Sequence, residues 1–487
     1  MTASHPGYVI RAARVIDPAT SDVLRDACIH VQDGRIAGRS SSAPAGVPVI
    51  DAGAAALLPG LIDCHTHLLL RPEDQVWPPA ITFKTRPYRM AEGVAAARRA
   101  LEIGFTSARD TGNEGAVHCD TALRQAIDAG IVPGPRLQVA TDAISITAGD
   151  MTLVSEVNPE LGLADPAAMA DTRDEMIKQV RRQVKIGADW IKIYCTGTRK
   201  HVDPRTMEPL HQMTAEDVSV IVAEAARYRR DVAAHAYGGD GAQAAILGGA
   251  RTLEHGPLLT EDDLQLLREH GTFWVPTLGT YHLRQHSDFD RRFVKRHEGA
   301  FRRALELGVR IAFGTDIGSY DHGQQMREFT LMVGYGMEPI AAIRSATTIA
   351  AEVLRLGGQI GTLADGARAD LIAVDGDPVA DIESLSRVHL VVKDGRVFRD
   401  DLGLAAKLPE AAWTPARLSP STQVLLSDRL ARSVRRARRP NRRTLIARRA
   451  GAGLQLHCRF GYGTAGECFL WAAGISLSIN KLLRAPI

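Results

Sequence analysis

The stretch Leu58-Pro59-Gly60-Leu61-Ile62-Asp63-Cys64-His65-Thr66-His67 decides the fold, because it places two imidazoles where an apolar strand ends. In an extended chain, residues two apart face the same way, so His65 and His67 can bind one metal ion from a single strand end. A His-x-His pair alone is common by chance. Here it closes an apolar run opened by Pro-Gly, and residues of ligand type recur at later strand ends.

Four further residues of ligand type lie inside or directly after short apolar runs. They are Lys192, His235, His255 and Asp316. Each run gives way to Gly or polar residues, as expected where a strand meets a loop. Because (β/α)8 barrels keep their chemistry at the carboxyl ends of their strands, the pattern predicts an α/β fold with a TIM-like barrel.

The alternation of helices and strands supports this prediction. The sequence predicts helices over residues 90–103, 171–186 and 215–228, the last of which begins after the capping residue Thr214. Each helix precedes a short apolar strand, and residues 309–313 predict a further strand that leads to Asp316. Such repetition is typical of βα units built on a parallel sheet.

Strand patterns also lie on both sides of the alternating helices and strands. Residues 8–17 and 27–36 predict two strands, with Asp33-Gly34 as a tight hairpin signal. Residues 370–376 and 388–398 repeat this style near the other end. We therefore expect a small β-sandwich made from both termini, with the barrel inserted between them. The predicted boundaries are 1–57 and 359–400 for the two parts of the sandwich, 58–358 for the barrel, and 401–487 for a basic extension.

The composition is that of an ordinary globular protein. The chain has 487 residues, 45% of them hydrophobic and 24% charged, which is enough for a barrel and a smaller domain. Its six cysteines form no Cys-x-x-Cys pair, so no disulfide is expected. No secretory signal is visible, and the apolar run over residues 468–479 is too short to span a bilayer. The expectation is a cytoplasmic protein without a membrane partner.

The charge is distributed unevenly. Residues 429–487 hold thirteen Lys/Arg and one acidic residue, a net +12, whereas the first 428 residues, with 46 basic and 55 acidic residues, carry −9. Ten arginines fall within residues 429–449, which predicts a poorly ordered segment. This segment is either a tether for nucleic acid or an anionic surface, or a non-homologous extension without a function of its own. We favour the extension.

The six ligand-type residues, taken in order, resemble the amidohydrolase superfamily, and most closely its branch of imidazolonepropionase-like hydrolases and Xaa-Pro dipeptidases. The resemblance runs from about residue 8 to residue 399 and includes Gly104–Asp110 and Gly361–Leu371. It implies two divalent metal ions. Zinc suits the histidine-rich ligand set best, with manganese, iron and cobalt as alternatives.

The resemblance also implies a role for each ligand. His65, His67 and Asp316 would hold the more buried ion, and His235 and His255 the other. Lys192, carboxylated by CO2 to a carbamate, would bridge the two. A buried ammonium between Ile191 and Ile193 would be costly, which favours this role over a solvated lysine at the end of the barrel.

The implied reaction is hydrolysis of an amide C–N bond in a small molecule, by a hydroxide that bridges the metals. Asp316 would take the proton from the water and pass it to the leaving nitrogen. The structural alternative for Asp316 is a helix N-cap before Ile317-Gly318.

Candidate substrate contacts are Tyr237, two residues after His235, and the basic run Arg199, Lys200 and His201, which could receive a carboxylate. The alternative for the run is an ordinary solvated set of charges. The expected substrate is an Xaa-Pro or N-acyl amino acid amide. A cyclic amide or imidazolone hydrolase or a deaminase, and a non-enzymatic binding protein, are the alternatives, and a homo-oligomer is possible.

Overall fold

The structure is a computed structural model that describes residues 7–75, 83–149, 158, 165–283, 285–401 and 403, with the backbone of 469–472 and 475–478. The chain divides into two compact units, residues 1–419 and 420–487. In the second unit, the described backbone is an antiparallel hairpin of strands Phe469–Ala472 and Ile475–Ser478. The predicted character of the basic extension otherwise lies outside the described residues.

The first unit alternates strands and helices along most of its length. Its strands are β1 (Tyr8–Asp17), β2 (Asp22–Gln32), β3 (Arg35–Ser40), β4 (Val49–Asp51), β5 (Ala56–Pro59), β6 (Leu61–Thr66), β7 (Phe105–Asp110), β8 (Arg136–Val139), β9 (Ile144–Ser145), β10 (Ala168–Met169), β11 (Trp190–Tyr194), β12 (Asp231–Ala236), β13 (Thr252–His255), β14 (Phe273–Val275), β15 (Leu371–Val374), β16 (Val388–Lys393) and β17 (Arg396–Asp400). Its α-helices are α1 (Arg86–Glu102), α2 (Cys119–Asp128), α3 (Arg173–Ile186), α4 (Ala215–Arg227), α5 (Gly239–Leu247), α6 (Glu261–His270), α7 (Leu278–His282), α8 (Asp288–Leu307), α9 (Met326–Gly334), α10 (Pro339–Ser345) and α11 (Thr348–Val353).

Strands from residues 8–59 and from residues 371–400 form one mixed sheet. Its order is β17-β16-β15-β5-β1-β2-β3, with β4 also paired to β1. One apolar cluster, which includes Ile10, Ile29, Leu371 and Leu390, joins residues from both ends. The two parts predicted for the β-sandwich thus share one hydrogen-bonded sheet and one core, and the sandwich itself stays a prediction.

The predicted hairpin at Asp33-Gly34 is confirmed. β2 ends at Gln32 and β3 begins at Arg35. Asp33 and Gly34 have φ values of 51° and 76°, so both central residues of the turn are left-handed, as a tight hairpin requires. The segment over residues 27–36 therefore contains the end of one strand, the turn and the start of the next strand.

Two parallel sheets form the centre of the α/β fold. One has the order β6-β7-β8 and the other β10-β9-β11-β12-β13-β14. Hydrogen bonds also link Cys64 N to Phe313 O (3.0 Å), Trp274 N to Arg310 O (2.9 Å) and Asp189 N to Val139 O (2.8 Å). Residues 310–313 thus link β6 to β14, and the residue before β11 is hydrogen-bonded to the end of β8.

The helix predictions hold closely. α4 begins after Thr214, whose side chain accepts a hydrogen bond from Asp217 N, and α3 ends at Gly187 with φ 104°. α1 begins four residues earlier than predicted, with a proline in its first turn. The predicted strand over 309–313 is reduced to one parallel bridge, between Trp274 and Ile311. No described helix is long and apolar enough to cross a membrane.

Gly60 joins β5 of the mixed sheet to β6 of the parallel sheet, and we predict that Gly60→Ala lowers the free energy of unfolding. An added Cβ would lie 2.2 Å from Thr106 Oγ1 and 2.8 Å from Thr106 Cβ, and Thr106 is buried. Overpacking of this kind costs about 1–3 kcal/mol. Urea unfolding followed by circular dichroism measures the change.

Gly299 is the matched control. It lies on the exposed face of α8, and an added Cβ there meets no atom within 4 Å. Gly299→Ala should leave stability unchanged or raise it, because alanine is the better helix former. Equal stability of the Gly60→Ala and Gly299→Ala variants would contradict the steric argument.

Candidate active site

Three residues of ligand type meet at the carboxyl end of β6. The Oδ1 atom of Asp316 lies 3.6 Å from His65 Nε2 and 3.3 Å from His67 Nε2. One ligand atom from each of the three residues lies within 4.8 Å of the others, and all three residues are buried. The structure thus joins residues that the sequence places far apart, as the strand-end pattern predicted.

Backbone hydrogen bonds hold Asp316 beside the end of β6. Asp316 N donates to His65 O at 2.7 Å, and His67 N donates to Ile317 O at 2.8 Å. Asp316 has a φ of 56°, a left-handed conformation that is strained for a residue with a side chain. Because Asp316 starts no helix, the alternative reading of it as an N-cap is wrong.

His235, His255 and Lys192 approach the same cluster from neighbouring strands. The ring centroid of His255 lies 4.8 Å from that of His65 and 4.5 Å from that of His235. β11 and β12 pair in parallel, with Tyr194 opposite His235, so Lys192 lies one strand away from His235. Burial lowers the pKa of Lys192 to about 8, and the charge of Lys192 together with burial lowers the pKa of His235 well below its ordinary value.

Three polar atoms in this region are buried without a hydrogen-bond partner among the described residues. They are Lys192 Nζ, His65 Nε2 and His235 Nε2. Buried polar groups are nearly always satisfied, so a cluster of three exceptions needs an explanation. Two imidazole nitrogens and an amine that could form a carbamate are donor groups that suit Zn²⁺.

The charges of His67 and Asp316 depend on each other. Burial alone would raise the pKa of Asp316, but its contacts with His67 and His65 lower it to about 2. Burial would lower the pKa of His67, yet Asp316 and Glu114 raise it to about 9. Each of the two groups therefore stabilises the charged form of the other.

A second layer of hydrogen bonds orients the histidines. His65 Nδ1 lies 2.6 Å from Glu254 Oε2, and His67 Nδ1 lies 3.0 Å from Gly112 O. A carboxylate and a carbonyl only accept hydrogen bonds, so each Nδ1 must carry a proton, which leaves Nε2 free to bind a cation. This arrangement is typical of histidines that bind metals.

Glu254 is itself held by a buried arginine. Arg109 donates to Glu254 Oε1 at 2.7 Å and to Cys64 O at 2.5 Å, and neither charged side chain is exposed to solvent. Sequence reasoning missed this pair. No local pattern indicates this pair, because β7 and β13 lie in different sheets and are far apart in the chain.

Of the predicted substrate contacts, Tyr237 lies beside His235, whereas the basic run lies beyond the end of β11. Tyr237 is buried, its ring lies 4.9 Å from that of His235, and Tyr281 Oη donates to its hydroxyl at 3.0 Å. Arg199, Lys200 and His201 form a short 3-10 helix beyond β11. The guanidinium of Arg199 forms an ion pair with Asp290 in the first turn of α8, so its charge is already matched.

Comparisons with known proteins agree with this geometry. A model of the amidohydrolase family matches residues 56–398. The chain is 30% identical over 432 residues to an ochratoxinase of Aspergillus niger, covering 80% of this chain and 86% of that protein. It is 27% identical over 392 residues to an imidazolonepropionase of Salinispora tropica, covering 77% and 90%. A solved Xaa-Pro dipeptidase with bound methionine matches with a TM-score of 0.73 at 30% identity, over 81% of this chain and all of that one.

The Arg109–Glu254 pair gives a stability prediction. Arg109→Leu should lower the free energy of unfolding by about 3–5 kcal/mol, because it leaves a buried carboxylate without its partner. The double variant Arg109→Leu/Glu254→Leu should recover part of that loss. Urea unfolding of chelator-treated protein measures the effect without a contribution from bound metal.

The exposed pair of Arg98 and Glu102, four residues apart on α1, is the control. Arg98→Leu should change stability by no more than about 0.5 kcal/mol. If Arg109→Leu were as mild as Arg98→Leu, Glu254 would not depend on the arginine.

Proposed function

The chain belongs to the amidohydrolase family, and from that premise we propose that it cleaves an amide bond of a small molecule at a centre of two divalent cations. As a family member it is a hydrolase of carbon–nitrogen bonds, which sets aside the non-enzymatic alternative. The observation that carries the proposal is the buried group of His65, His67 and Asp316. Three buried nitrogens in this region, His65 Nε2, Lys192 Nζ and His235 Nε2, have no hydrogen-bond partner among the described residues.

The proposed ligands are those that the sequence suggested. His65, His67 and Asp316 would hold one cation, and His235 and His255 the other. Lys192 would bridge them as a carbamate, since its uncharged amine is the form that adds CO2 and burial favours that form. The unsatisfied atoms Lys192 Nζ and His235 Nε2 support a fit to the second ion. The histidine-rich set favours zinc.

Bound cations would supply an acidified water and polarise the scissile carbonyl. Asp316 would accept the proton of that water on its carboxylate, whose Oδ1 lies beside the histidines and whose Oδ2 accepts a hydrogen bond from Thr280 at 3.0 Å. After the new C–O bond forms, Asp316 would return the proton to the leaving nitrogen as the C–N bond breaks.

We also propose that the parallel strands close a (β/α)8 barrel over residues 58–358, with residues 1–57 and 359–400 as a second domain. The hydrogen bonds that link β6 to β14 through residues 310–313, and β8 to the residue before β11, support closure. Residues 401–487 would then follow a completed two-domain fold.

The proposed substrate is an Xaa-Pro or N-acyl amino acid amide. The similarity to a solved Xaa-Pro dipeptidase supports such a substrate. Tyr237 would contact the substrate beside His235. A cyclic amide or imidazolone substrate is the second candidate, which the imidazolonepropionase relative favours. Lys192 argues against a mononuclear deaminase, which would not need a bridging lysine.

We predict that the protein carries about two divalent ions per chain and that Lys192→Ala loses one of them with most of the activity. A short-chain carboxylate that fills the gap should restore part of the turnover. Elemental analysis and turnover of Xaa-Pro and N-acyl amino acid amides measure both. Lys185→Ala, which removes an exposed lysine from the end of α3, should change neither. Full metal content and turnover in Lys192→Ala would mean that this lysine is only structural.

We predict that Asp316→Asn lowers kcat by about 100–10,000-fold or more, because general acid–base catalysis typically contributes that much. The asparagine keeps the size of the side chain but cannot accept the proton. The exposed Asp262→Asn on α6 is the control. Turnover of Asp316→Asn within about threefold of the wild type would assign the proton transfer to another residue.

A further inference from the structure

We propose that the segment Thr277–Thr280, at the start of α7, is a positioning device for the catalytic centre, and that the buried carboxylate of Glu328 fixes it in place. Two threonine hydroxyls of this segment orient His255 and Asp316, which belong to different strand ends. The inference rests on the proposed function, because it takes both residues as metal ligands.

The first contact is between Thr277 and His255. Thr277 Oγ1 lies 2.8 Å from His255 Nδ1, and both residues are buried. His255 and Thr277 have φ values of 72° and 50°, so the backbone is strained on both sides of the contact. When His255 Nδ1 donates to this hydroxyl, Nε2 is the ring nitrogen available to a cation.

The second contact is between Thr280 and Asp316. Thr280 Oγ1 donates to Asp316 Oδ2 at 3.0 Å and lies 2.7 Å from Ser319 Oγ. Ser319 Oγ in turn donates to Asp316 O at 2.7 Å. The hydroxyl thereby fixes the rotation of the carboxylate, so that Oδ1 stays beside His65 and His67.

Glu328, on α9, holds the segment through its backbone. Its two carboxylate oxygens accept hydrogen bonds from Leu278 N and Gly279 N, each at 2.8 Å. The side chain is fully buried, and burial raises its pKa to about 8, only partly offset by these two N–H groups. The two oxygens of this buried side chain therefore fix the backbone of the segment at two successive residues.

Gly279 shows how closely the segment is held. An added Cβ would lie 3.0 Å from Tyr320 Oη and 3.4 Å from Glu328 Oε2. A side chain at this position would push the turn away from Glu328. The hydroxyls of Thr277 and Thr280 therefore belong to one closely held segment rather than to two independent loops.

The test compares variants that differ by one hydroxyl. Thr280→Val keeps the shape of the side chain but loses the hydrogen bond to Asp316, and Thr280→Ser keeps the hydroxyl. We expect Thr280→Val to lower kcat about 10–100-fold with little change in KM, as removal of a residue that supports a metal ligand typically does. Thr280→Ser should recover most of kcat.

Zinc affinity, measured by competition with a chelator, is the readout that does not depend on turnover. Thr277→Val should weaken binding of zinc about 10–100-fold at one of the two sites, and Thr277→Ser should restore it. Glu328→Gln, which can accept only one of the two N–H bonds well, should lower kcat in the same manner as Thr280→Val. Thermal unfolding of each variant separates these effects from loss of the fold.

Thr272 is the control, because its buried hydroxyl donates only to a backbone carbonyl, that of Ala250. Thr272→Val should leave kcat and zinc affinity unchanged. Wild-type kcat and zinc affinity in both Thr277→Val and Thr280→Val, or equal losses in the Val and Ser variants, would overturn the inference. Wild-type protein that binds zinc but cleaves no amide would refute the proposed function alone, and the zinc affinities would still decide the role of Thr277. Wild-type protein that binds no zinc would overturn both.

Discussion

Parallel pairing of the central strands is the constraint on which the site depends. Because neighbouring parallel strands run the same way, the residues at their carboxyl ends share one edge of the sheet. The register of β12 on β13 places Ala236 opposite His255, and Asp316 binds back to the end of β6 through its backbone. A slip of one residue in any of these strands would turn its ligand away from the centre. Stability of the sheet and assembly of the site are therefore the same physical problem.

The sequence indicated the strand-end residues of the candidate site but not the residues that orient them. His65, His67 and the later strand-end residues were visible because ligand types recur at a fixed position relative to apolar runs and glycines. Glu254 and Arg109 were not, since their role depends on which strands are neighbours. Thr277, Thr280 and Glu328 were hidden for the same reason, because a threonine in a loop carries no sign of what its hydroxyl will contact.

The same distinction applies to the fold. Local signals were strong at helix ends, where Thr214 and Gly187 mark the boundaries, and at the Asp33-Gly34 turn. The predicted strand before Asp316 depended on hydrophobic character alone, and it is reduced to one bridge beside Trp274. Pairing of β5 with β15 joins distant parts of the chain, so its register could not be read from either segment.

Charge balance explains why the centre needs so many supports. Glu254 is compensated by Arg109, whereas Asp316 contacts two histidines, His65 and His67, and the amine of Lys192 has no hydrogen-bond partner among the described residues. A site balanced in this way is costly for the folded protein and becomes favourable when positive charge arrives between the ligands. The strained φ values of His255 and Asp316 add to that cost. The contacts from α7 and β13 would hold the ligands in position against both costs, so that little reorganisation would remain for binding of the proposed cations and substrate.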